Sequence, residues 1–378
     1  MSGWGEAMGT IGIREASCAG VERVSIIVGI AERVREVSMR KTGRCASVVL
    51  LGVMAAGCLR AQLPEPDGGT IERGTLPERW LSEGPKCMEI PEWQVHEYNP
   101  NFFILRQSPC TDYEKPFVFL FFGKEKAMLV DTGSRNGNLA QSLRWVVKNW
   151  LTRNGKTSIP LVVVHTHPHG DHVAGDKDIQ AMNDPAMPVT FLKADDQQAA
   201  MTMYGITSWP DAIGKIDLGD RVIDVIPIPG HSAMSIAFYD RRTAVLLAGD
   251  SLYPGRLYVQ DFAAFQASTE RMIAFTKGKP VAHILGNHIE EGDTPFLDYP
   301  VGTIYQPHEH ELALSRGALL ELEDVLVSMH GVPQRMALRD FSVWPSGRQF
   351  AKPGDRETFQ KHEKEEKETM WDHTAPSH

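Results

Sequence analysis

The stretch Leu161-Val-Val-Val-His-Thr-His-Pro-His-Gly-Asp-His172 constrains this chain more than any other. A β-branched apolar run of this length reads as a buried strand. Within the next eight residues the chain delivers four histidines and an aspartate, the way a strand end hands its last residues to a metal ion. The core of the pattern is His167-x-His169-x-Asp171-His172. Imidazoles two positions apart, with Pro168 stiffening the turn between them, can converge on one ion, while Asp171 and His172 point to a second position beside it.

Three later segments end in the same way. Ile226 to His231 places a histidine after a Gly turn, Ala244 to Asp250 ends an apolar run in an aspartate, and Val281 to His288 ends another in a histidine. Earlier, Phe117 to Phe122 and Ala127 to Val130 form a predicted hairpin that runs into Asp131-Thr-Gly-Ser134. Each ending alone is weak, because Asp and Gly are simply good turn formers. In this order after the His-rich loop, they describe several strand ends that must meet at one edge of a layered sheet structure.

This set of residues resembles the metallo-β-lactamase superfamily of hydrolases. The resemblance covers roughly residues 102 to 288, extending toward 345. It implies an α/β fold of the αββα type, two mixed sheets with outer helices. It assigns His167, His169 and His231 to one metal, Asp171, His172 and His288 to a second, and Asp250 to a bridge between them. Asp131 would support the metal loop rather than bind metal, and His165, at the strand end, would share that supporting role. Two Zn²⁺ per chain are expected, with Fe or Mn compatible with the carboxylates. Two such cations make a shared water acidic enough to yield hydroxide near neutral pH and polarise a carbonyl, and Asp171 would steer the attack. After the bridging aspartate, Ser251 to Phe262 resembles the segment of hydroxyacylglutathione hydrolases that shapes the substrate side. Tyr253, Arg256 and Tyr258 are therefore the expected substrate grip, with Arg256 matched to an anionic or carbonyl group.

The remaining sequence bounds the function. With 42% hydrophobic and 23% charged residues the composition is that of an ordinary globular protein. A formal charge of −9 provides no phosphate-neutralising excess, which argues against a general nucleic-acid binder and for a small-molecule substrate. Arg40 to Arg44, Ala46 to Leu59 and the Leu59-Arg-Ala61 end read as the three parts of a secretory signal. The expected organisation is thus residues 1–38 as an artefact of the assigned start, 39–61 as signal peptide, 62–100 as a lead-in, 101–345 as the hydrolase domain and 346–378 as a charged tail. Export to the periplasm or outside follows, with no stable membrane span after signal removal and lipid anchoring through Cys58 as the alternative. Of five cysteines only Cys87 and Cys110 survive signal removal, and export makes them an expected disulfide.

The local patterns predict helices over 138–151, 177–182, 194–203 and 309–327. Strands are expected over 102–106, 189–192, 221–228, 235–239 and 244–248 and around 334–343, with a loop at 207–215. The expected function is an exported binuclear metal-dependent hydrolase of a small ester, thioester, lactone or amide. A β-lactamase is the alternative within enzymes, and a catalytically silent metal-binding module the alternative outside them. Asp250 stands where the best-known zinc β-lactamases carry cysteine, which disfavours the first alternative. The oligomeric state is open.

Overall fold

A computed structural model describes residues 70–81 and 89–346. The proposed signal peptide, Cys58, Cys87 and the charged tail from residue 347 lie outside the described residues. In chain order the elements are β1 (Trp93–Asn99), β2 (Phe102–Gln107), β3 (Phe117–Phe122), β4 (Ala127–Val130), α1 (Leu139–Arg153), β5 (Leu161–Val164), α2 (Gly170–Val173), α3 (Asp176–Ala181) and β6 (Val189–Phe191). Then come α4 (Gln197–Tyr204), β7 (Gly214–Asp217), β8 (Val222–Pro227), β9 (Ile236–Asp240), β10 (Val245–Gly249), β11 (Arg256–Val259) and α5 (Phe262–Thr276). The chain continues through β12 (His283–Gly286), β13 (Ala313–Leu314), α6 (Arg316–Ser328), β14 (Met336–Ala337) and β15 (Ser342–Pro345).

Alternation along the strands builds the layers. In β3, Phe117, Phe119 and Phe121 pack into the core shared with Ile223, Val225, Phe238 and Leu247 of the second sheet. Their neighbours Val118, Leu120 and Phe122 point the other way, onto Leu143, Val146, Val147 and Trp150 of α1. Because both faces are covered, the strand reads as a continuous apolar run rather than an alternating one. The second sheet does the same: Ile226, Tyr239, Leu246 and Ile284 face Phe265 and Met272 of α5 and Leu319 and Leu322 of α6. The result is helix, sheet, sheet, helix, as expected.

The sheets run β1-β2-β3-β4-β5-β6 and β13-β12-β10-β9-β8-β7, with a small third sheet β11-β15-β14. Both large sheets are mixed. The β4–β5 and β5–β6 pairs and the β10–β12 pair are parallel, and the other pairs are antiparallel. Parallel pairing sends the carboxyl ends of β4 and β5 the same way, and likewise those of β10 and β12, so each sheet collects its polar strand ends at one edge.

Several predicted boundaries move. The domain starts before residue 101: β1 pairs with β2 along Trp93 to Asn99, and Trp80 is buried in the core between the sheets. The helix predicted from Glu309 starts instead at Arg316, where the Ser315 hydroxyl caps the Gly317 amide at 3.1 Å; residues 313–314 form β13 against β12. The strand predicted around 334–343 splits into β14 and β15, and β7 begins inside the segment predicted as a loop. α5 is capped by Asp261, which accepts from the Ala264 amide at 3.0 Å; no sequence expectation covered it. Among the described residues no helix is long and apolar enough to cross a membrane.

Candidate metal centre

Asp131 ends β4 with φ +63 and lies fully buried. Its carboxylate accepts from the Thr166 amide and the Thr166 hydroxyl, each at 2.8 Å, and from Asn287 Nδ2 at 2.8 Å. His172 Nδ1 lies 3.0 Å from the same group. Burial works against this charge, yet His172 and His165 hold the carboxyl well below the usual carboxylate range. Asp131 thus fastens the start of the His-rich loop, the third position of that loop's short helix and the end of β12. His165 sits between two carboxylates, with Nε2 3.1 Å from Asp176 Oδ1 and Nδ1 3.6 Å from Asp131 Oδ1. Those two neighbours raise its pKa to about 9 against the opposing effect of burial.

Two groups of donor atoms meet above this hub. In the first, His167 Nε2, His169 Nδ1 and His231 Nε2 approach one another at 3.0 to 3.2 Å. In the second, Asp171 Oδ2 lies 3.1 Å from His172 Nε2 and 3.2 Å from His288 Nε2. Asp250 faces both: its carboxylate lies 3.4 Å from His288 and 3.5 Å from His172, and also 3.7 Å from His167 and 3.6 Å from His231. Each of the two groups, His167/His169/His231 and Asp171/His172/Asp250/His288, has its ligand atoms within 4.8 Å of one another.

Backbone geometry places the last members. Gly230, before His231, has φ +150 and passes so close to Phe265 that a Cβ would meet its backbone at 2.5 Å. Gly249, before Asp250, has φ +55 and turns the chain out of β10.

The outward nitrogens of the imidazoles are held from behind. His231 Nδ1 donates to the Tyr258 carbonyl at 2.8 Å and His288 Nδ1 to the Glu114 carbonyl at 2.9 Å, which directs both Nε2 atoms inward. This is how proteins orient histidine for metal. Burial, and next the nearby His172, push His167 well below the usual imidazole range, and burial likewise lowers His231. His172 and His288 go the other way: against burial, Asp250 and Asp171 hold both well above that range.

The donor set fits a pair of divalent cations. Asp250 Oδ1 and His172 Nε2 are buried and have no hydrogen-bond partner in the protein, and a buried polar atom without a partner is costly unless something else satisfies it. Nitrogen-rich and mixed nitrogen and oxygen clusters sharing one carboxylate suit Zn²⁺ and tolerate Fe or Mn.

The substrate grip expected from Ser251 to Phe262 does not form as predicted. Arg256 is 3% exposed, with its guanidinium bound to Asp298 at 2.5 Å and Glu290 at 3.0 Å. Tyr253 is 1% exposed and its hydroxyl donates to the Arg256 carbonyl. Neither keeps a polar group free for a ligand, because the carboxylates that engage Arg256 arrive from a segment distant in sequence. Tyr258 is half-buried, its hydroxyl accepting from Arg256 Nε at 3.2 Å. Sequence reasoning missed Thr166, Asn287 and Glu114. The first two flank ligands in the motifs and could have been suspected there; Glu114 enters through its carbonyl, which carries no side-chain signal.

Four stacked layers with histidine and aspartate clusters gathered at the strand ends define a metallohydrolase architecture. A sequence model of the Metallo-beta-lactamase superfamily matches residues 114–329, and the chain belongs to that superfamily. It is a metal-dependent hydrolase. An acyl-coenzyme A thioesterase MBLAC2 from Bos taurus is 23% identical over 231 residues, 53% of this chain and 83% of that protein. A hydroxyacylglutathione hydrolase from Erythrobacter litoralis (strain HTCC2594) is 29% identical over 173 residues, 45% of this chain and 62% of that protein. Among solved structures, a metallo-beta-lactamase from Pontibacter korlensis aligns with 62% of this chain and 99% of its own at 18% identity and a TM-score of 0.42.

Proposed function

We propose that this chain is a binuclear zinc hydrolase of a small thioester or ester, with lactones and amides as chemically related substrates. The observation that carries the reading is the Asp250 carboxylate, which stands within 3.4 to 3.7 Å of imidazoles from both clusters and so can serve two ions at once. His167, His169 and His231 would hold one ion, and Asp171, His172 and His288 the other. Bound there, two divalent cations supply an acidified water and polarise the acyl carbonyl.

The protein's own part is orientation and proton handling. Asp171, half-buried beside His172 and His288, would steer the attacking water. Asp131 and His165 keep the loop in register beneath it. With Arg256 engaged elsewhere, Tyr258 is the member of the expected grip left half-exposed to meet a substrate. The relatives named as an acyl-coenzyme A thioesterase and a hydroxyacylglutathione hydrolase support the thioester as the first substrate to try.

The test is to purify the protein, count bound metal per chain and assay thioesters, esters, lactones, β-lactams and phosphodiesters in the same sample. Near two ions with thioester or ester turnover is expected. Turnover of β-lactams alone would move the reading to a β-lactamase. A protein that stays inactive after Zn²⁺ or Mn²⁺ is restored would be the silent metal-binding module.

Export and a Cys87–Cys110 disulfide belong to the same proposal. The charged, apolar and small-residue parts of 40–61 support export, and the even pair of cysteines left after signal removal supports the disulfide, with Cys87 outside the described residues. Amino-terminal sequencing of the exported protein should read from near Gln62; a mature chain beginning near Met1 would refute the signal.

A further inference from the structure

Arg256 is buried, and every direction of its guanidinium meets a partner. Nη1 donates to Asp298 at 2.5 Å and to the Tyr299 carbonyl at 2.7 Å, Nη2 lies 3.0 Å from Glu290, and Nε donates to the Tyr258 hydroxyl at 3.2 Å. Its own backbone amide donates to Glu290 at 2.8 Å, and its carbonyl takes the Tyr253 hydroxyl. The partners come from two places: β11 with the turn before it, and the segment that follows β12.

Each of those two places adjoins one cluster. Two residues along β11, the Tyr258 carbonyl accepts His231 Nδ1 at 2.8 Å. On the other side, Glu290 stands two residues past His288, and the Tyr253 ring packs edge-on to the His288 ring with centroids 5.5 Å apart. A shift of β11 against the segment after β12 would therefore turn an imidazole in each cluster.

We propose that Arg256 is a positioning residue, whose guanidinium locks β11 to the segment after β12 and thereby sets the orientation of His231 and His288, one imidazole in each metal cluster. This rests on the reading of the two clusters as metal sites. Arg256 reaches the chemistry through other residues and does not grip the substrate. The planar fork is what the role requires, since a lysine ammonium keeps the charge but cannot serve Asp298, Glu290 and Tyr258 in fixed directions at once.

Cobalt titration of the full chain tests this, with Arg256→Lys compared against Arg221→Lys. Arg221 is likewise a buried guanidinium, forked onto Asp240 at 3.0 and 2.6 Å, and it makes no contact with either cluster. Both variants should melt at lower temperature in the metal-free form. Only Arg256→Lys should weaken Co²⁺ binding, by about tenfold to hundredfold, the range seen when a group behind a metal ligand is lost. Its visible Co²⁺ spectrum should shift as well, while that of Arg221→Lys stays at the wild-type form. Wild-type affinity and spectrum in Arg256→Lys, or an equal loss in Arg221→Lys, would overturn the role. Should Arg256→Lys fail to fold, Asp298→Asn at its part-exposed partner carries the same test: a smaller weakening in the same direction is expected, and an unchanged affinity and spectrum would overturn it. A wild-type chain that binds no Co²⁺ would instead sink the metal-site reading itself.

Discussion

His169 presents Nδ1 to its cluster, whereas His167 and His231 present Nε2. It also opens α2 as its N-cap and is the one member of the histidine trio that is not fully buried. Removing it therefore empties a metal position without opening a core cavity. His169→Ala should retain the melting profile of the metal-free protein while turnover falls by more than about a hundredfold, beyond the usual effect of groups behind the ligands; metal counting with circular dichroism separates the two effects. Glu291 offers a second test. It is 2% exposed, its Oε2 lacks a partner, and burial, with Asp298 next, raises its pKa to about 7. An acid raised in the folded state contributes most below its unfolded pKa, and that contribution is lost as pH rises through the folded value. Glu291→Gln should thus flatten the fall in melting temperature between about pH 4.3, the ordinary glutamate value, and pH 7. An unchanged slope would show that Glu291 ionises freely.

At the scale of elements, β3 does two jobs. Its odd-numbered phenylalanines fill the space between the sheets and its even-numbered residues seat α1, so a truncation there should be felt by the whole sandwich. Phe119→Ala should cost about 3 to 5 kcal/mol, as large-to-small changes in a closed core do. Denaturant unfolding measures it, and a loss under 1 kcal/mol would mean that the layers close up around the cavity. The segment from Glu290 to Leu312 is held from two sides. Arg256 grips its start, and Arg106 of β2 reaches Glu309 at 2.6 Å through both terminal nitrogens, with Lys115 3.3 Å from the same carboxylate. The histidines of this segment, His308 and His310, pair with Asp293 and Asp340 rather than with either cluster.

For the whole molecule, metal binding and pH are linked. In the metal-free chain His172 and His288 hold protons well above the usual imidazole range because Asp250 and Asp171 face them. A raised imidazole stabilises the fold fully below its unfolded pKa of about 6.5, and loses that contribution as pH rises through the folded value. Metal must displace those protons, so its binding is opposed at low pH and favoured at high pH. The rise in melting temperature on adding Zn²⁺ to chelator-treated protein should accordingly be larger at pH 8 than at pH 6. Equal rises at both pH values would argue against His172 and His288 as ligands.

Much of this was legible along the chain. The β-branched run into His167-x-His169-x-Asp171-His172 and the polar strand ends at His231, Asp250 and His288 follow from local spacing, because ligands placed two residues apart after a strand are a short-range property, whereas the layered αββα class and the grouping of these residues around two metals are what the resemblance to the superfamily implies. Helix starts were less legible: the charged residues around Glu309 imitate a helix opening, while Ser315 supplies the cap. What no local pattern contained was the partner of each group. Arg256 carries the charge of a substrate grip, and only the fold brings Glu290 and Asp298, more than thirty residues on, into the positions that engage it. Glu114 and Tyr258 hold ligand histidines through backbone carbonyls, which every residue possesses, so their selection depends on strand register and packing rather than on residue type. The sequence by itself determined which atoms could bind metal; the tertiary structure decided which atoms face them, because that choice is made by contacts between segments far apart in the chain.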